Sequence, residues 1–303
     1  MTAMTDFKID THMHIMPEYR LRGLAKWMKK AFPGHGVSEK STPEDLVQDL
    51  YDGGITHFFN LIYPIRADET EGLNQFNAEF CRKTPGAIPF ASIHQDSPDK
   101  AKLAEKILTQ DDFAGFKLHP FVQKFNPWDK RMDPFYEFLQ DAQKPVLFHT
   151  GFEDFYQKEM PIQKLRGLLE KYPKLPVVFV HMAFPYLEEV FSLMEEFPEL
   201  YLDATGVIVF LRHGFQPYVP TELGNGRLSM ILQAGVEKNK GRVMFGSDHP
   251  VGWGDIGKIF KDLSFLSVSE EAAASLKYGA AVAFVDRFMP GFDWQENLQN
   301  EKR

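Results

Sequence analysis

Two histidines with metal-binding spacing follow the first apolar run of this chain. The run at residues 7–9 leads directly into the sequence DTHMH at residues 10–14. Side chains alternate between the two faces of an extended strand, so Asp10, His12 and His14 are expected to point the same way. Two imidazoles on one face, two residues apart, can bind a single divalent metal ion.

Three later apolar runs also end in a residue that can bind a metal. Their last residues are His149, His181 and Asp248. Three histidines and one carboxylate are enough to hold one zinc-like ion and leave a position for water, whose pKa the ion would lower. Each residue alone has a simpler explanation, such as a backbone hydrogen bond for a histidine or a helix cap for the aspartate. If all these runs end at the same edge of one sheet, the simpler explanations become less convincing, because each residue would need a separate one.

Eight short apolar runs alternate with segments of helical periodicity. Most runs are continuously apolar, which is typical of strands covered on both faces, as in parallel sheets. The predicted strands span residues 7–11, 57–62, 88–93, 113–118, 145–149, 177–181, 200–204 and 242–248. Predicted helices open near Pro43, Pro98 and Pro134, where proline suits a first turn, and others span residues 160–172, 186–197, 221–239 and 269–289.

Strands that alternate with helices indicate right-handed βαβ units. Eight repeats predict a closed (β/α)₈ TIM barrel, a single α/β domain over residues 1–303. An open doubly wound sheet is the alternative, and it is disfavoured because no Gly-x-Gly-x-x-Gly turn follows an early strand. Catalytic residues of a barrel come from the C-terminal ends of its strands, which is where the candidate ligands lie.

The segment at about residues 15–42, after the first strand, is longer than the other connections. It carries Arg20, Trp27, Lys29 and Lys30. Insertions that follow a barrel strand lie over the active-site mouth, so this one could be a lid or could contact substrate. A solvated basic helix is an equally good interpretation.

Charge and composition exclude several classes of protein. The 303 residues carry a net charge of -8 and are 44% apolar, which is normal for a globular protein with a full core. The acidic balance argues against a nucleic-acid partner. No apolar run is long enough to span a bilayer, and residues 1–8 lack a signal-peptide core. Cys81 is the only cysteine, which fits a reducing compartment and a buried thiol, so we expect a cytoplasmic protein.

Five short motifs, taken in order, resemble those of one enzyme family. They are IDTHMH at 9–14, GFKLHP at 115–120, FHTG at 148–151, VHMA at 180–183 and FGSDHP at 245–250. The chain resembles the amidohydrolase superfamily, specifically its amidohydrolase-related (amidohydrolase 2) branch of metal-dependent TIM-barrel hydrolases. That branch includes enzymes of the aminocarboxymuconate semialdehyde decarboxylase type. The motifs are specific for the superfamily and say little about substrate.

The resemblance implies a role for each candidate residue. His12, His14 and His149 match metal ligands, and Asp248 matches the acid that binds the metal or shuttles the proton of its water. His181 matches a histidine that polarises substrate or acts as acid or base in single-metal members. Asp248 and His181 are therefore the expected catalytic residues. The implied cofactor is one divalent metal ion, Zn²⁺ first, with Mn²⁺ or Fe²⁺ as alternatives.

Three further residues are candidate substrate contacts. Lys117 matches a lysine that is carboxylated and bridges two metals in binuclear relatives, but a charged lysine is favoured because the branch is mostly single-metal. It could then bind a substrate carboxylate or pair with Asp203 or Asp248. His119 is expected to contact substrate or support the ligands, and Arg212 could hold a substrate carboxylate. Asp203 could instead orient a ligand by a hydrogen bond.

The implied reaction is hydrolysis of a small amide, lactone or ester by metal-activated water. Decarboxylation of an unsaturated or aromatic carboxylic acid at the same site is the alternative, which a cation placed to hold the carboxylate would favour. A non-catalytic binding protein is a third interpretation, disfavoured because no ligand position is lost. The expected partner is a small-molecule substrate, without nucleic acid or membrane, and a homodimer is one expected assembly.

Overall fold

The computed structural model describes residues 7–32, 34–213, 225–252 and 256–295. Eight parallel strands pair in chain order, β1 with β2 and so on to β8, which confirms the predicted α/β barrel. They are β1 Ile9–Met13, β2 His57–Leu61, β3 Ala87–Ala91, β4 Gly115–Leu118, β5 Val146–His149, β6 Val177–Val180, β7 Leu200–Asp203 and β8 Val243–Met244. All residues of these strands are buried, as their continuously apolar runs predict.

Hydrogen bonds between β1 and the chain that follows β8 close the barrel. Thr11 N donates to Phe245 O at 3.2 Å, and Asp248 N donates to His12 O at 2.9 Å. His14 N donates to His249 O at 2.9 Å one step further along. This seam therefore joins the segment that carries the first two candidate ligands to the segment that carries Asp248.

Thirteen helices occur in the described residues, most of them after a strand. They are α1 Glu18–Ala31, α2 Pro43–Asp52, α3 Thr70–Lys83, α4 Lys100–Gln110, α5 Asp133–Ala142, α6 Glu153–Tyr156, α7 Ile162–Lys171, α8 Leu187–Glu196, α9 Val207–His213, α10 Asn225–Lys238, α11 Ile256–Asp262, α12 Glu270–Ala274 and α13 Ala280–Phe288. The predicted helix start at residue 221 lies outside the described residues. None of the described helices has the length and apolar character needed to span a bilayer.

Local sequence signals account for several helix starts. Thr42 Oγ1 accepts from Asp45 N at 3.1 Å, and Asp45 accepts from Thr42 N at 2.9 Å. This reciprocal pair satisfies backbone donors that the first turn of α2 leaves open, and Pro43 has no donor to satisfy. Cys81 is buried on α3, as expected.

The lower half of the barrel is filled by apolar side chains. Phe284 of α13 packs against Phe59 and Phe90, with ring centroids 6.1 Å and 6.5 Å away, so the last helix covers the N-terminal end. Ile9 of β1 belongs to the same apolar cluster. The candidate ligands lie at the opposite, C-terminal end of the strands.

A bulge in β1 lets this strand present side chains to the barrel interior both in the apolar N-terminal half and at the metal centre. Asp10 pairs with Phe58 and Met13 with Asn60, so three steps along β1 match two along β2. The extra residue in β1 reverses which side chains point to the barrel interior in the rest of the strand. Ile9 therefore joins the apolar cluster while His12, three residues later, faces the same interior at the metal centre.

Candidate metal centre

His12, His14 and Asp248 bring three possible ligand atoms together at the barrel seam. The Nε2 atoms of the two histidines are 3.1 Å apart. Asp248 Oδ1 lies 3.4 Å from His12 Nε2 and 3.3 Å from His14 Nε2. Both rings are buried, whereas the Asp248 side chain is 18% exposed, so the group opens toward a cavity on the carboxylate side.

The other ring nitrogen of each histidine is already used. His12 Nδ1 donates to Asp203 Oδ2 at 2.8 Å, and His14 Nδ1 donates to Leu61 O at 2.7 Å. Both Nε2 atoms are therefore left with lone pairs that face each other. Thr205 N donates to Asp203 Oδ1 at 2.9 Å and holds the carboxylate in place. A carboxylate or carbonyl that fixes the tautomer is the usual support of a metal-binding histidine.

The spacing and protonation of these atoms fit a divalent ion. Two ligands of a tetrahedral zinc ion, each about 2.0–2.1 Å from it, would lie about 3.3–3.4 Å apart, close to the three distances above. Burial lowers the pKa of His12 well below its usual value, so the ring is neutral. Burial opposes ionisation of Asp248, but its pKa is lowered because His14, His181 and Lys117 surround the carboxylate. Neutral imidazoles and an ionised carboxylate are the forms that bind metal.

Asp10 ties together the two segments that carry these ligands. Its Oδ1 accepts from His12 N at 3.0 Å and from Ser247 N at 2.9 Å, across the seam. Burial raises the pKa of this carboxyl to about 7. Asp10 is a structural element of the centre, but the prediction that it shares one strand face with His12 is wrong, because the bulge between Asp10 and Met13 interrupts the alternation.

His149, the third histidine that the sequence predicts as a ligand, lies beside this group but not within it. Its ring centroid is 4.4 Å from that of His181 and 3.8 Å from that of His119, on which it stacks. Both ring nitrogens are buried and lack a hydrogen-bond partner among the described residues. Burial lowers the pKa of His149 well below its usual value. Its role as a ligand stays a prediction.

His181 presents a buried lone pair to the site. Nδ1 donates to Thr205 O at 2.8 Å, and because a carbonyl can only accept, Nε2 carries no proton in the neutral ring. Burial lowers the pKa to about 4, so the neutral form dominates at pH 7. Of the roles that the resemblance implies for His181, this arrangement favours a base at Nε2 over an acid. His181, Met182 and Ala183 all have positive φ (61°, 54° and 48°), a strained conformation typical of functional sites.

Lys117 is fully buried on β4, and its Nζ has no hydrogen-bond partner among the described residues. Burial lowers the pKa of the amine to about 7, although the charges of Asp203 and Asp248 oppose this shift. Within the described residues no carboxylate is close enough to form an ion pair with it. The direct pairing with Asp203 or Asp248 is therefore not observed, and the other two interpretations stay open.

The sequence model of one family matches nearly the whole chain. The amidohydrolase model covers residues 9–286, which includes every residue of the candidate metal centre. The chain belongs to the amidohydrolase family. It is therefore an enzyme of a family that depends on metal, in agreement with the three clustered ligand atoms. No protein with a curated description matches the chain significantly.

Solved structures with the same barrel share little sequence with this amidohydrolase. An uncharacterized TIM-barrel protein from Bordetella bronchiseptica has a TM-score of 0.67 at 18% identity, covering 92% of this chain and 98% of that one. A 5-carboxyvanillate decarboxylase from Sphingomonas paucimobilis gives 0.66 at 13%, over 93% and 98%. A proposed 2-pyrone-4,6-dicarboxylic acid hydrolase from Pseudomonas putida gives 0.63 at 18%, over 92% and 97%. At these sequence identities the similarity shows that the fold is shared and nothing more.

Two cavities meet at the metal centre of this amidohydrolase. An inner cavity of about 90 Å³ is lined mainly by aromatic and aliphatic side chains, with His181 and Asp248 in its wall. A wider cleft of about 490 Å³ leads to the surface past His14 and His119. Trp27 of α1 lines both, so the insertion at residues 15–42 covers the active-site mouth, as one of its two interpretations predicted.

Arg212 does not reach either cavity. Its guanidinium pairs with Asp262 of α11, which also contacts His213 Nε2 at 3.0 Å. Arg212 is therefore paired with an acid fifty residues away, which local sequence could not indicate, and its role in holding a substrate stays a prediction. The arginine that lines the cleft is Arg20, whose only sequence signal is its place in the insertion.

Proposed function

We propose that this amidohydrolase uses one divalent metal ion to hydrolyse a small amide, lactone or ester. The observation that carries the proposal is the group formed by His12, His14 and Asp248, with both histidine Nδ1 atoms already tied to acceptors. His149 is the fourth proposed ligand, since its unpartnered ring nitrogens lie beside the group. Zn²⁺ is the proposed ion, with Mn²⁺ or Fe²⁺ as alternatives, because all three suit nitrogen and carboxylate ligands.

The bound ion would supply Lewis acidity, which lowers the pKa of water so that hydroxide can attack a carbonyl near neutral pH. Asp248 is ionised and partly open to the cavity, so its carboxylate can accept a proton from the attacking water and return it to the leaving group. His181 Nε2 offers a second proton acceptor that faces the inner cavity. Both are the proposed catalytic residues.

His119 and Lys117 are the proposed substrate contacts that remain after Arg212 is set aside. His119 lines the cleft, and its Nε2 lies 3.5 Å from the Tyr156 hydroxyl, which also faces the cavities. Lys117 lies deeper, below the ligands, with a pKa of about 7, so its charge at neutral pH is only partial. It could bridge a second ion or attract a substrate anion, and metal counting separates these roles.

Decarboxylation of an aromatic or unsaturated acid is the second candidate. A decarboxylase and a proposed hydrolase both share this fold, so the fold does not decide between them. A cation placed to hold the carboxylate would favour decarboxylation, but Arg212 is paired elsewhere and Arg20 is paired with Glu69 at 2.7 Å. Neither arginine is free to hold a carboxylate, which favours hydrolysis unless Lys117 supplies that charge.

Metal content is the first test. Protein purified without chelator should hold about one ion per chain, and His12→Ala should lose it. His213→Ala, which removes an exposed histidine outside the centre, should keep it. Two ions would indicate a carboxylated Lys117 and a binuclear site. No ion in the wild type, even after reloading, would refute the proposal.

The reaction is tested with the metal-loaded enzyme on lactones, esters, amides and aromatic acids. Hydrolysis should appear for at least one carbonyl class, and Asp248→Asn should abolish it. Release of carbon dioxide from an aromatic acid, without hydrolysis of any carbonyl substrate, would establish the alternative. A cytoplasmic location and a homodimer stay predictions, which fractionation of cells and the mass in solution would check.

A further inference from the structure

Exposed apolar side chains are concentrated at the mouth of the cleft. In the described part of the chain four large apolar residues are exposed: Tyr19 at 56%, Trp27 at 40%, Ile65 at 49% and Met230 at 66%. The first three line the cleft that leads to the metal centre, two from α1 and one from the loop after β2. Only Met230, on α10, lies elsewhere. Such clustering marks a binding surface better than single exposed residues do.

The inner cavity continues this apolar surface on the far side of the metal centre. Phe152, Val209 and Phe210 form much of its wall, and the Phe152 and Phe210 rings contact each other at 4.8 Å. None of the described residues that line it is lysine or arginine. Because Trp27 and Asp248 line both spaces, the ligand atoms lie between two apolar regions.

The cations that line the outer cleft are poorly placed to hold an anionic substrate. The cleft is lined by two cations, Arg20 and Lys124. Arg20 is largely buried and donates to Glu69 at 2.7 Å, so its charge is already balanced. Lys124 is exposed at the rim, where solvent screens it.

We propose that the substrate is an uncharged carbonyl compound with apolar groups on both sides of the reacting carbonyl. The inner group lies against Phe152, Val209 and Phe210, and the size of that cavity limits how large it can be. The outer group lies against Trp27 and the rest of the apolar rim. The reaction itself rests on the function proposed above, but binding of such a molecule does not, and it can be measured without catalysis.

The test is calorimetric titration of the metal-loaded protein with 2-alkanones, from 2-butanone upward. These ketones carry a carbonyl between two carbon groups and cannot be hydrolysed. Each methylene that enters the apolar region should tighten binding about fourfold, until the cavity is full and the affinity levels off. Oxo acids of the same length, with a terminal carboxylate, should bind more weakly. Ketone affinities that do not change with chain length, or tighter binding of the oxo acids than of the ketones, would overturn the proposal.

Variants of the cavity wall locate the binding. Val209→Phe should fill the inner cavity, so the plateau should come at a shorter chain while short ketones still bind. Phe210→Ala should enlarge the cavity instead, so the affinity should keep rising to longer ketones than in the wild type. Met230→Ala removes the exposed apolar residue outside the cleft and should leave all affinities unchanged. If Val209→Phe and Phe210→Ala, both with wild-type thermal midpoints, bind the whole series like the wild type, the inner cavity is not the site.

The two proposals fail in different ways. Ketones that bind as described, with no hydrolysis of the matching esters or lactones, would retain the substrate class and refute hydrolysis. Hydrolysis whose kcat/KM is independent of acyl chain length, together with a flat ketone series, would retain hydrolysis and refute the apolar substrate.

Discussion

Replacing Gly246 with alanine would test whether the barrel seam sets the geometry of the metal centre. A Cβ atom on Gly246 would lie 2.6 Å from His12 N and 2.7 Å from Asp10 Oδ1. Ordinary contacts of a Cβ begin at 3.4 Å, so β1 and the segment after β8 would have to separate by about 0.7 to 0.8 Å. The atoms that must move are backbone and a buried carboxylate, neither of which can turn away.

Two consequences follow from that displacement. Overpacking of a buried site costs about 1–3 kcal/mol of unfolding free energy. Separation of the segments also breaks the hydrogen bond that Ser247 N donates to Asp10 Oδ1 across the seam, which holds the ligands of both segments in register. A misplacement approaching 1 Å can reduce activity on the order of 100-fold. We therefore expect Gly246→Ala to lose stability, metal affinity and activity together.

Gly167→Ala is the matched control, because it makes the same chemical change on the exposed face of α7, where a Cβ meets nothing within 4 Å. It should raise the unfolding free energy by about 0.5–1 kcal/mol, since alanine favours helix over glycine. Urea unfolding and chelator competition on both variants provide the comparison. If Gly246→Ala matches the wild type in stability, metal affinity and kcat/KM, the seam does not position the centre.

Three other substitutions test separate parts of the structure. Asp203→Asn should weaken metal binding by about 10- to 100-fold in chelator competition, because it weakens the acceptor that orients His12, whereas the surface Asp129→Asn should not. His181→Gln should reduce kcat/KM by about 10²- to 10⁴-fold at unchanged metal content, and a loss of metal would instead make His181 a ligand. Burial lowers the pKa of His57 from 6.5 to about 4, so the unfolded chain binds the proton more readily as the pH falls. The unfolding free energy of the wild type, measured with urea, should therefore fall by about 3 kcal/mol more between pH 7 and pH 4 than that of His57→Gln. Equal losses in the two proteins would refute this assignment.

Patterns that are local in the sequence predicted much of the fold. The apolar runs located all eight strands, because a strand covered on both faces has to be apolar throughout. Thr42 and Pro43 marked the start of α2 since capping depends on residues within one turn. The eighth run, predicted over 242–248, is a strand only at Val243–Met244. Beyond it the chain bonds to β1 instead of continuing a ladder with β7, a choice that only tertiary contacts decide.

The details of the site depend on contacts that no local pattern contains. Alternation alone put His12 and Ile9 on opposite faces, and only the bulge against β2 brings both inward. The positive φ angles at His181 and Asp248 are uncommon for residues other than glycine and are not indicated by the local sequence. The ion pair of Arg212 could not be predicted for the same reason, because its partner Asp262 is close only in the folded chain.

The metal centre and the closure of the barrel depend on the same contacts. His12 and His14 lie on one side of the seam and Asp248 on the other, and Asp10 bonds across it. Without a cation, two buried lone pairs face each other at 3.1 Å and an ionised carboxylate lies beside them, which is an unfavourable arrangement. A bound divalent ion would convert this repulsion into attraction and would link both sides of the seam. The charge of the ion would therefore stabilise the barrel at its seam, so metal affinity and folding stability would be coupled in this enzyme.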